Sequence, residues 1–279
     1  MALSVTHKKI RKISNGNSSV INDLLAVEEP MEIKINYFNN TIPIEKNISV
    51  TMRTPGNDFE LAAGFLFTEG IIKNSSDIEQ ISYCKKALHE NNENVIKVIL
   101  KQDASIYLNS AERNFYITGS CGVCGKASIE SIMQQSQYSC NLDFQIPIET
   151  IFNLVNQMKA VQINFKHTGG IHACGLYDQE GKIILVREDV GRHNALDKLI
   201  GKFVLENKLP LHHCLLLLSG RISFELVQKA AMVGINVICG VGAPSSLAIE
   251  TAEKFGITVI GFLREESMNI YSHEFRIIS

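Results

Sequence analysis

Apolar and polar residues alternate in Glu32-Ile33-Lys34-Ile35-Asn36-Tyr37 and again in Ile48-Ser49-Val50-Thr51-Met52, with a polar break at Asn39-Asn40. A period of two turns one side of each segment toward a core, so this stretch predicts a β-hairpin. Pro55-Gly56-Asn57-Asp58 then supplies a stop and a helix N-cap, and Leu61, Phe65 and Leu66 share a helical face in residues 59–68. Residues 95–100 and 114–118 read as strands. Pro147 opens a helical segment that carries Ile151, Leu154, Val155 and Met158 at helical spacing. Beyond Thr168 strands and helices alternate: strand 183–186, helix 192–206, strand 214–218, helix 223–233, strand 235–239, helix 245–255, strand 257–263. Such alternation predicts a largely parallel sheet with helices on both faces, whose ligands bind beyond the carboxyl ends of the strands.

Composition bounds this picture without redirecting it. With 279 residues, 45% of them hydrophobic, the chain can bury a sizeable core. The net charge of −2 points to neither nucleic acid nor an anionic membrane. The basic run His7-Lys8-Lys9-Ile10-Arg11-Lys12 leads into Asn15-Gly16-Asn17-Ser18-Ser19 and reads as a solvated tail. The organisation expected is therefore a flexible tail over 1–27, a β-rich region over 28–118, a mobile loop and helix over 119–140, and an α/β region over 141–279. No apolar h-region follows the N-terminal charges and the aliphatic run at 215–218 is too short to span a bilayer, so a cytoplasmic protein is expected. Seven cysteines then read as reduced thiols.

Two of them, Cys121 and Cys124, stand between Gly119, Gly122 and Gly125 and precede Lys126 and the helical segment 127–135. A helix N-terminus and a nearby cation both lower a thiol pKa, and glycines let the backbone bend, so the pair reads as a reactive loop. C-x-x-C alone is compatible with dithiol redox, half of a metal site, or a persulfide carrier. A zinc site needs about four ligands, and the chain has no second C-x-x-C. The P-loop pattern fails as well, because Ser120 replaces its first glycine and Ala127 its hydroxyl.

The predicted strand ends carry a second constellation. Glu188-Asp189-Val190-Gly191-Arg192-His193, Ser219-Gly220-Arg221, Gly240-Val241-Gly242 with Ala243 to Ser246, and Phe262-Leu263-Arg264-Glu265-Glu266-Ser267 would converge on one rim. Its arginines, glycines and helix N-termini are equipment for gripping an anion such as a nucleotide phosphate. His172, after Thr168-Gly169-Gly170, and His193, at a helix start, are candidates for accepting or relaying a proton, or for a structural hydrogen bond.

Taken together, Met52-Arg53-Thr54-Pro55-Gly56, Glu60-Leu61-Ala62 with Gly64-Phe65-Leu66, Glu69-Gly70-Ile71-Ile72, Cys121-Gly122-Val123-Cys124-Gly125, Thr168 to His172, Glu188 to Ala195 with Asp197-Lys198, Ser219-Gly220-Arg221, Ala243 to Ala248, and Gly261-Phe262-Leu263-Arg264 resemble the formate dehydrogenase accessory sulfurtransferase family, FdhD. The resemblance runs from about Glu28 to the C-terminus. It implies a cytidine-deaminase-like three-layer α/β/α fold with a smaller N-terminal β-rich subdomain, no deaminase zinc site and no structural metal, and a homodimer. It further implies a sulfurtransferase that accepts sulfur from a cysteine desulfurase and passes it to the bis(molybdopterin guanine dinucleotide) molybdenum cofactor needed by formate dehydrogenase. Cys121 would carry the persulfide, with Cys124 beside it. The cofactor, or a guanine nucleotide as its fragment, would lie on the 262–267 stretch with Ser219, Gly220, Arg221, Arg192, His193 and His172. A thiol-disulfide oxidoreductase and a non-catalytic cofactor-binding chaperone are the rival expectations.

Overall fold

Residues 5–26 depart from the expected tail: β1 Val5–Ser14 and β2 Asn17–Ala26 pair as an antiparallel hairpin. Asn15 and Gly16 turn it with φ of 50° and 77°, the doubly positive geometry for which Asn-Gly is suited. Polar residues occupy both faces, most of them exposed, so the apolar alternation that betrays a half-buried strand is missing. Beside it, Ser4 Oγ donates to Asn164 Oδ1 at 3.0 Å. The computed structural model describes residues 4–39, 41–84, 92–104, 106, 138 and 143–279. Cys121, Cys124, the strand expected at 114–118 and the helix expected at 127–135 lie outside the described residues.

The alternating segments pair as read, with β3 Glu29–Asn39 antiparallel to β4 Ile42–Arg53. Helix α1 Asp58–Thr68 follows, then β5 Ile78–Tyr83 and β6 Val95–Leu100, which complete a four-stranded sheet in the order β4-β3-β6-β5. Met31, Ile33 and Ile35 of β3, with Ile96 and Val98 of β6, form its buried face. The helical segment after Pro147 is broken into α2 Ile148–Phe152, α3 Leu154–Val161 and α4 Ile163–Thr168, preceded by the short β7 Ile146–Pro147.

The C-terminal half runs β8 His172–Tyr177, β9 Ile183–Asp189, α5 Arg192–Leu205, β10 Leu215–Leu218, α6 Phe224–Met232, β11 Val237–Gly240, α7 Ser246–Phe255, β12 Thr258–Gly261 and β13 Asn269–Ser272, ending in β14 Ile277–Ile278. Its six strands lie in the order β13-β12-β11-β10-β8-β9. The sheet is mixed rather than largely parallel: β10, β11 and β12 are mutually parallel, while β8, β9 and β13 pair antiparallel. The antiparallel β8 escapes a reading of the sequence because Gly175 interrupts its apolar run. The fold explains the glycine, since a Cβ there would lie 2.9 Å from the Tyr177 ring.

Four consecutive buried leucines make β10 a central strand, apolar on both sides. Leu215 and Leu217 pack with Ile151, Leu154 and Met158 of α2 and α3, while Leu216 and Leu218 pack with residues of α5, α6 and α7. The expected α/β/α layering is thus present. The N-terminal sheet adds its apolar face to the same core as α1, α5 and α6.

The two halves lock at a helix crossing and two buried polar networks. A Cβ on Gly64 of α1 would lie 1.9 Å from Asp197 O, and one on Gly201 of α5 would lie 1.8 Å from Glu60 O, so the backbones touch where glycine alone fits. Lys198 Nζ lies 2.6 Å from Asp189 Oδ2 and donates to Thr54 O at 2.7 Å, and Asp189 also accepts from Thr54 N, Gly191 N and Asn194 Nδ2. In the second network Lys229 donates to Thr68, Glu69 and Asp197. Burial alone would lower the Lys229 pKa, but the facing carboxylates of Asp197 and Glu69 more than reverse this and raise it. Each pair is satisfied by several hydrogen bonds, the condition under which a buried charge is tolerated.

Candidate functional site

Short loops at the ends of β10, β11 and β12 are stitched to one another through their backbones. Gly242 N donates to Gly220 O at 3.0 Å, Phe262 N to Gly242 O at 3.2 Å, and Leu263 N to Gly240 O at 3.0 Å. A Cβ on Gly242 would lie 2.9 Å from Gly220 C and O, which explains the glycines of Gly240-Val241-Gly242 as packing requirements. Ser219 joins β8 to the same rim, its Oγ accepting from Ala173 N at 2.9 Å.

A cleft of about 980 Å³ opens on this rim, the volume of a site for one nucleotide-sized ligand. It is lined by His172, Ser219, Val241 and the run Leu263-Arg264-Glu265-Glu266-Ser267, together with Val155, Met158, Lys159, Gln162 and Phe165 of the α3–α4 region and Gly169 and Gly170. The structure therefore brings together seven of the residues read from the sequence: His172, Ser219, Leu263, Arg264, Glu265, Glu266 and Ser267. Gly220 lies just behind, where a Cβ would meet the His172 ring at 3.3 Å.

Arg192, His193, Arg221 and Phe262 are not among the lining residues. Arg221 is exposed, and Phe262 is 44% exposed on a backbone with φ of 53°. His193 instead faces α6, with Nε2 3.4 Å from Ser223 Oγ and 3.8 Å from Glu225 Oε2. Of the three arginines Arg264 lines the cleft, and its Nη1 donates to the carbonyls of Val241 and Leu263, both at 2.8 Å. Lys159 and Arg264 are matched there by Glu265 and Glu266, so the lining charges balance. The α3–α4 wall was not legible as a site, because Val155 and Met158 read as ordinary core positions. Gln162, a polar residue at the break between two helices, was the signal available.

Both histidines are biased toward the neutral form. Burial, then the Arg192 charge, lowers the His172 pKa. Burial, Lys229 and Arg192 bring His193 from 6.5 to about 4, against a weaker opposing pull from Glu225. Between those pH values the unfolded chain binds a proton at His193 that the folded chain refuses, so stability is lost as the pH falls from 6.5 toward 4. His193→Gln should flatten this part of the acid destabilisation, read as the difference in Tm between pH 7 and pH 5. An unchanged difference would show that His193 does not titrate in this way.

Four described cysteines are free thiols: Cys84, Cys174, Cys214 and Cys239. Burial pushes Cys174 well above the ordinary thiol range, Cys239 up to about 12 and Cys214 up to about 11. Among the described residues no cluster of three or more His, Cys, Asp or Glu is arranged to hold a metal ion, and no helix is long and apolar enough to cross a membrane.

Comparison with known proteins matches residues 26–278 to the FdhD/NarQ family. The sulfur carrier protein FdhD of Streptomyces avermitilis is 43% identical over 276 residues, covering 97% of this chain and 94% of its own. That of Mycolicibacterium paratuberculosis is 44% identical, covering 98% of each. The protein of the same name from Sulfurisphaera tokodaii is 39% identical over 276 residues, covering 99% of this chain and 100% of its own. Among solved structures, a putative formate dehydrogenase accessory protein from Desulfotalea psychrophila superposes with a TM-score of 0.75 at 25% identity, covering 99% of this chain and all of that one. Extended over nearly the whole chain in sequence and in fold, this similarity establishes that the chain belongs to the FdhD/NarQ family.

Proposed function

We propose that the chain is a cytoplasmic sulfurtransferase, acting as a homodimer, that takes sulfur from a cysteine desulfurase onto Cys121 and delivers it to the bis(molybdopterin guanine dinucleotide) molybdenum cofactor destined for formate dehydrogenase. The observation that carries this reading is the cleft at the strand ends, which gathers His172, Ser219 and the 263–267 stretch into a space of nucleotide size within a chain of the FdhD/NarQ family. The names of its relatives, as sulfur carrier proteins, point the same way. In the first step the Cys121 thiolate attacks the terminal sulfur of the desulfurase persulfide. A new S–S bond forms at Cys121, the old one breaks, and the desulfurase thiolate leaves. In the second step the S–S bond of the Cys121 persulfide would break, with the Cys121 thiolate leaving on the bonding pair and the sulfane sulfur being taken up as sulfide by the reduced cofactor bound as substrate, whose molybdenum would supply the two electrons.

The described cysteines support the choice of carrier by contrast. A thiol must be a thiolate to attack a persulfide, and burial holds Cys174, Cys214 and Cys239 in the protonated form. Incubating the reduced chain with a cysteine desulfurase and cysteine should add one sulfur atom to the intact mass, mapped to Cys121 and released by reductant. A dithiol oxidoreductase would instead lose two hydrogens on closing Cys121 to Cys124. Sulfur found equally on Cys84 or Cys174, or no mass gain, would remove Cys121 as the carrier.

A further inference from the structure

Helix α4 has little of its own to hold it in place. It is six residues long, none of them is buried, and Ile163 and Phe165 are exposed. A helix this short does not persist on its backbone hydrogen bonds alone, and the usual remedy, an apolar face buried in the core, is missing. The backbone leaves helical geometry at Gln162, with φ of −74° and ψ of 87°, and again at Gly169, with φ of 66°, so the segment is bracketed by two breaks. Yet Gln162, Phe165, Gly169 and Gly170 all line the cleft. Whatever fixes α4 therefore fixes that part of the lining.

The tie comes from another element. Gln162 does not cap α4 with its side chain; instead Glu188 of β9 accepts from Asn164 N at 3.0 Å through Oε2 and from Phe165 N at 2.9 Å through Oε1. These are two of the first-turn N–H groups that find no partner inside a helix, and a carboxylate there also meets the positive end of the helix dipole. The strand that carries it is firmly held: Glu188 pairs with Ala173 of β8, and the next residue, Asp189, is locked by Lys198, Thr54 and Gly191. The N-terminal hairpin region adds only the neutral bond from Ser4 to Asn164. Resting on the cofactor reading above, we propose that Glu188 is a positioning residue: by capping α4 from β9 it keeps Gln162, Phe165, Gly169 and Gly170 in the arrangement that forms the cleft, although Glu188 itself is not among the lining residues. Without the tie α4 opens about Gln162 and Gly169, and the apparent affinity for the cofactor falls with the fraction of chains in which the segment is closed.

The test is amide hydrogen exchange of the full chain, read by mass spectrometry over residues 162–170, beside calorimetric titration with GDP, for the wild type, Glu188→Gln and Glu188→Ala. Glu188→Gln keeps the length and one acceptor oxygen, so it should retain one of the two hydrogen bonds; Glu188→Ala retains neither. Exchange over 162–170 should quicken in the order wild type, Glu188→Gln, Glu188→Ala, with β8 and β10 unchanged. The GDP dissociation constant should rise in the same order, by about tenfold or more in Glu188→Ala, as for the loss of hydrogen bonds to a charged group. Saturating GDP should slow exchange over 162–170 in all three chains, because it binds the closed arrangement better. Melting temperatures should change little, since the opening is local. A cap that only stabilised the fold would lower the melting temperature and leave GDP affinity alone. Affinity or exchange over 162–170 that is the same in Glu188→Ala as in the wild type overturns the positioning role while leaving the cofactor site standing. If Glu188→Ala does not fold, Glu188→Gln decides, and wild-type values there overturn the proposal. A wild-type chain that does not bind GDP overturns the cofactor reading, and exchange, which needs no ligand, still decides whether Glu188 holds α4.

Discussion

In cells lacking the wild-type chain, Cys121→Ser is expected to leave formate dehydrogenase at background activity, with Cys124→Ser retaining part of it. The asymmetry follows from the chemistry of the first step, in which a single sulfur forms the new S–S bond. A serine hydroxyl at Cys121 cannot carry sulfane sulfur, whereas a change at Cys124 removes a neighbour of the carrier. Cys174→Ala and Cys239→Ala serve as controls, because both thiols are buried and held protonated. They should cost stability through small cavities and leave delivery intact in whatever fraction remains folded. The measurement is formate-dependent dye reduction per amount of dehydrogenase. Equal, near-wild-type activation by Cys121→Ser and Cys124→Ser would sink the sulfur-carrier reading and favour a chaperone that only binds the cofactor.

Gly201→Ala is expected to be the most damaging single-methyl change outside the cleft. The added carbon would sit 1.8 Å from Glu60 O and 2.8 Å from Gly64 N, both backbone atoms that no rotamer change can move. Helices α1 and α5 would have to separate, and the separation would stretch Lys229 from Thr68 and Lys198 from Thr54, the bonds that hold the charges at the same joint. Overpacking a tight core costs about 1–3 kcal/mol, and straining a buried pair adds to it, so a loss of about 3 kcal/mol or more is expected, roughly 10 °C in Tm for a domain of this size. Lys202→Ala, at the neighbouring position but with a side chain 38% exposed, should stay within about 0.5 kcal/mol. A Gly201→Ala chain that melts with the wild type would mean that the helices do not meet as closely as the structure has them.

Elements with one buried face were the ones legible in the chain. The alternation in β3 and β4, the apolar face of α1 and the strand–helix rhythm from β9 to β12 each follow from a neighbour that buries one side, and the structure returns them within a few residues. The hairpin β1–β2 was hidden because neither of its faces is buried, β8 because a glycine makes room for Tyr177, and the direction of β8, β9 and β13 because periodicity is the same in parallel and antiparallel strands. The motifs behaved in the same way. Asp189 stood next to Arg192 and His193 in sequence and was read with them as rim chemistry, yet the fold turns it inward against Thr54, where Lys198 and Asn194 join it at the joint between the halves.

The sequence by itself determined the family, through motifs in fixed order, and the C-terminal stretch of the cleft, because residues that follow a strand must lie at the sheet's edge. The tertiary structure decided which strand ends share a cleft, that Arg264 alone of the three arginines lines it, and that Lys159 and Gln162 of another element line it with the 263–267 run. Such pairings depend on strand order and helix packing, which bring together side chains about a hundred residues apart, and no local pattern of apolar and polar positions encodes them.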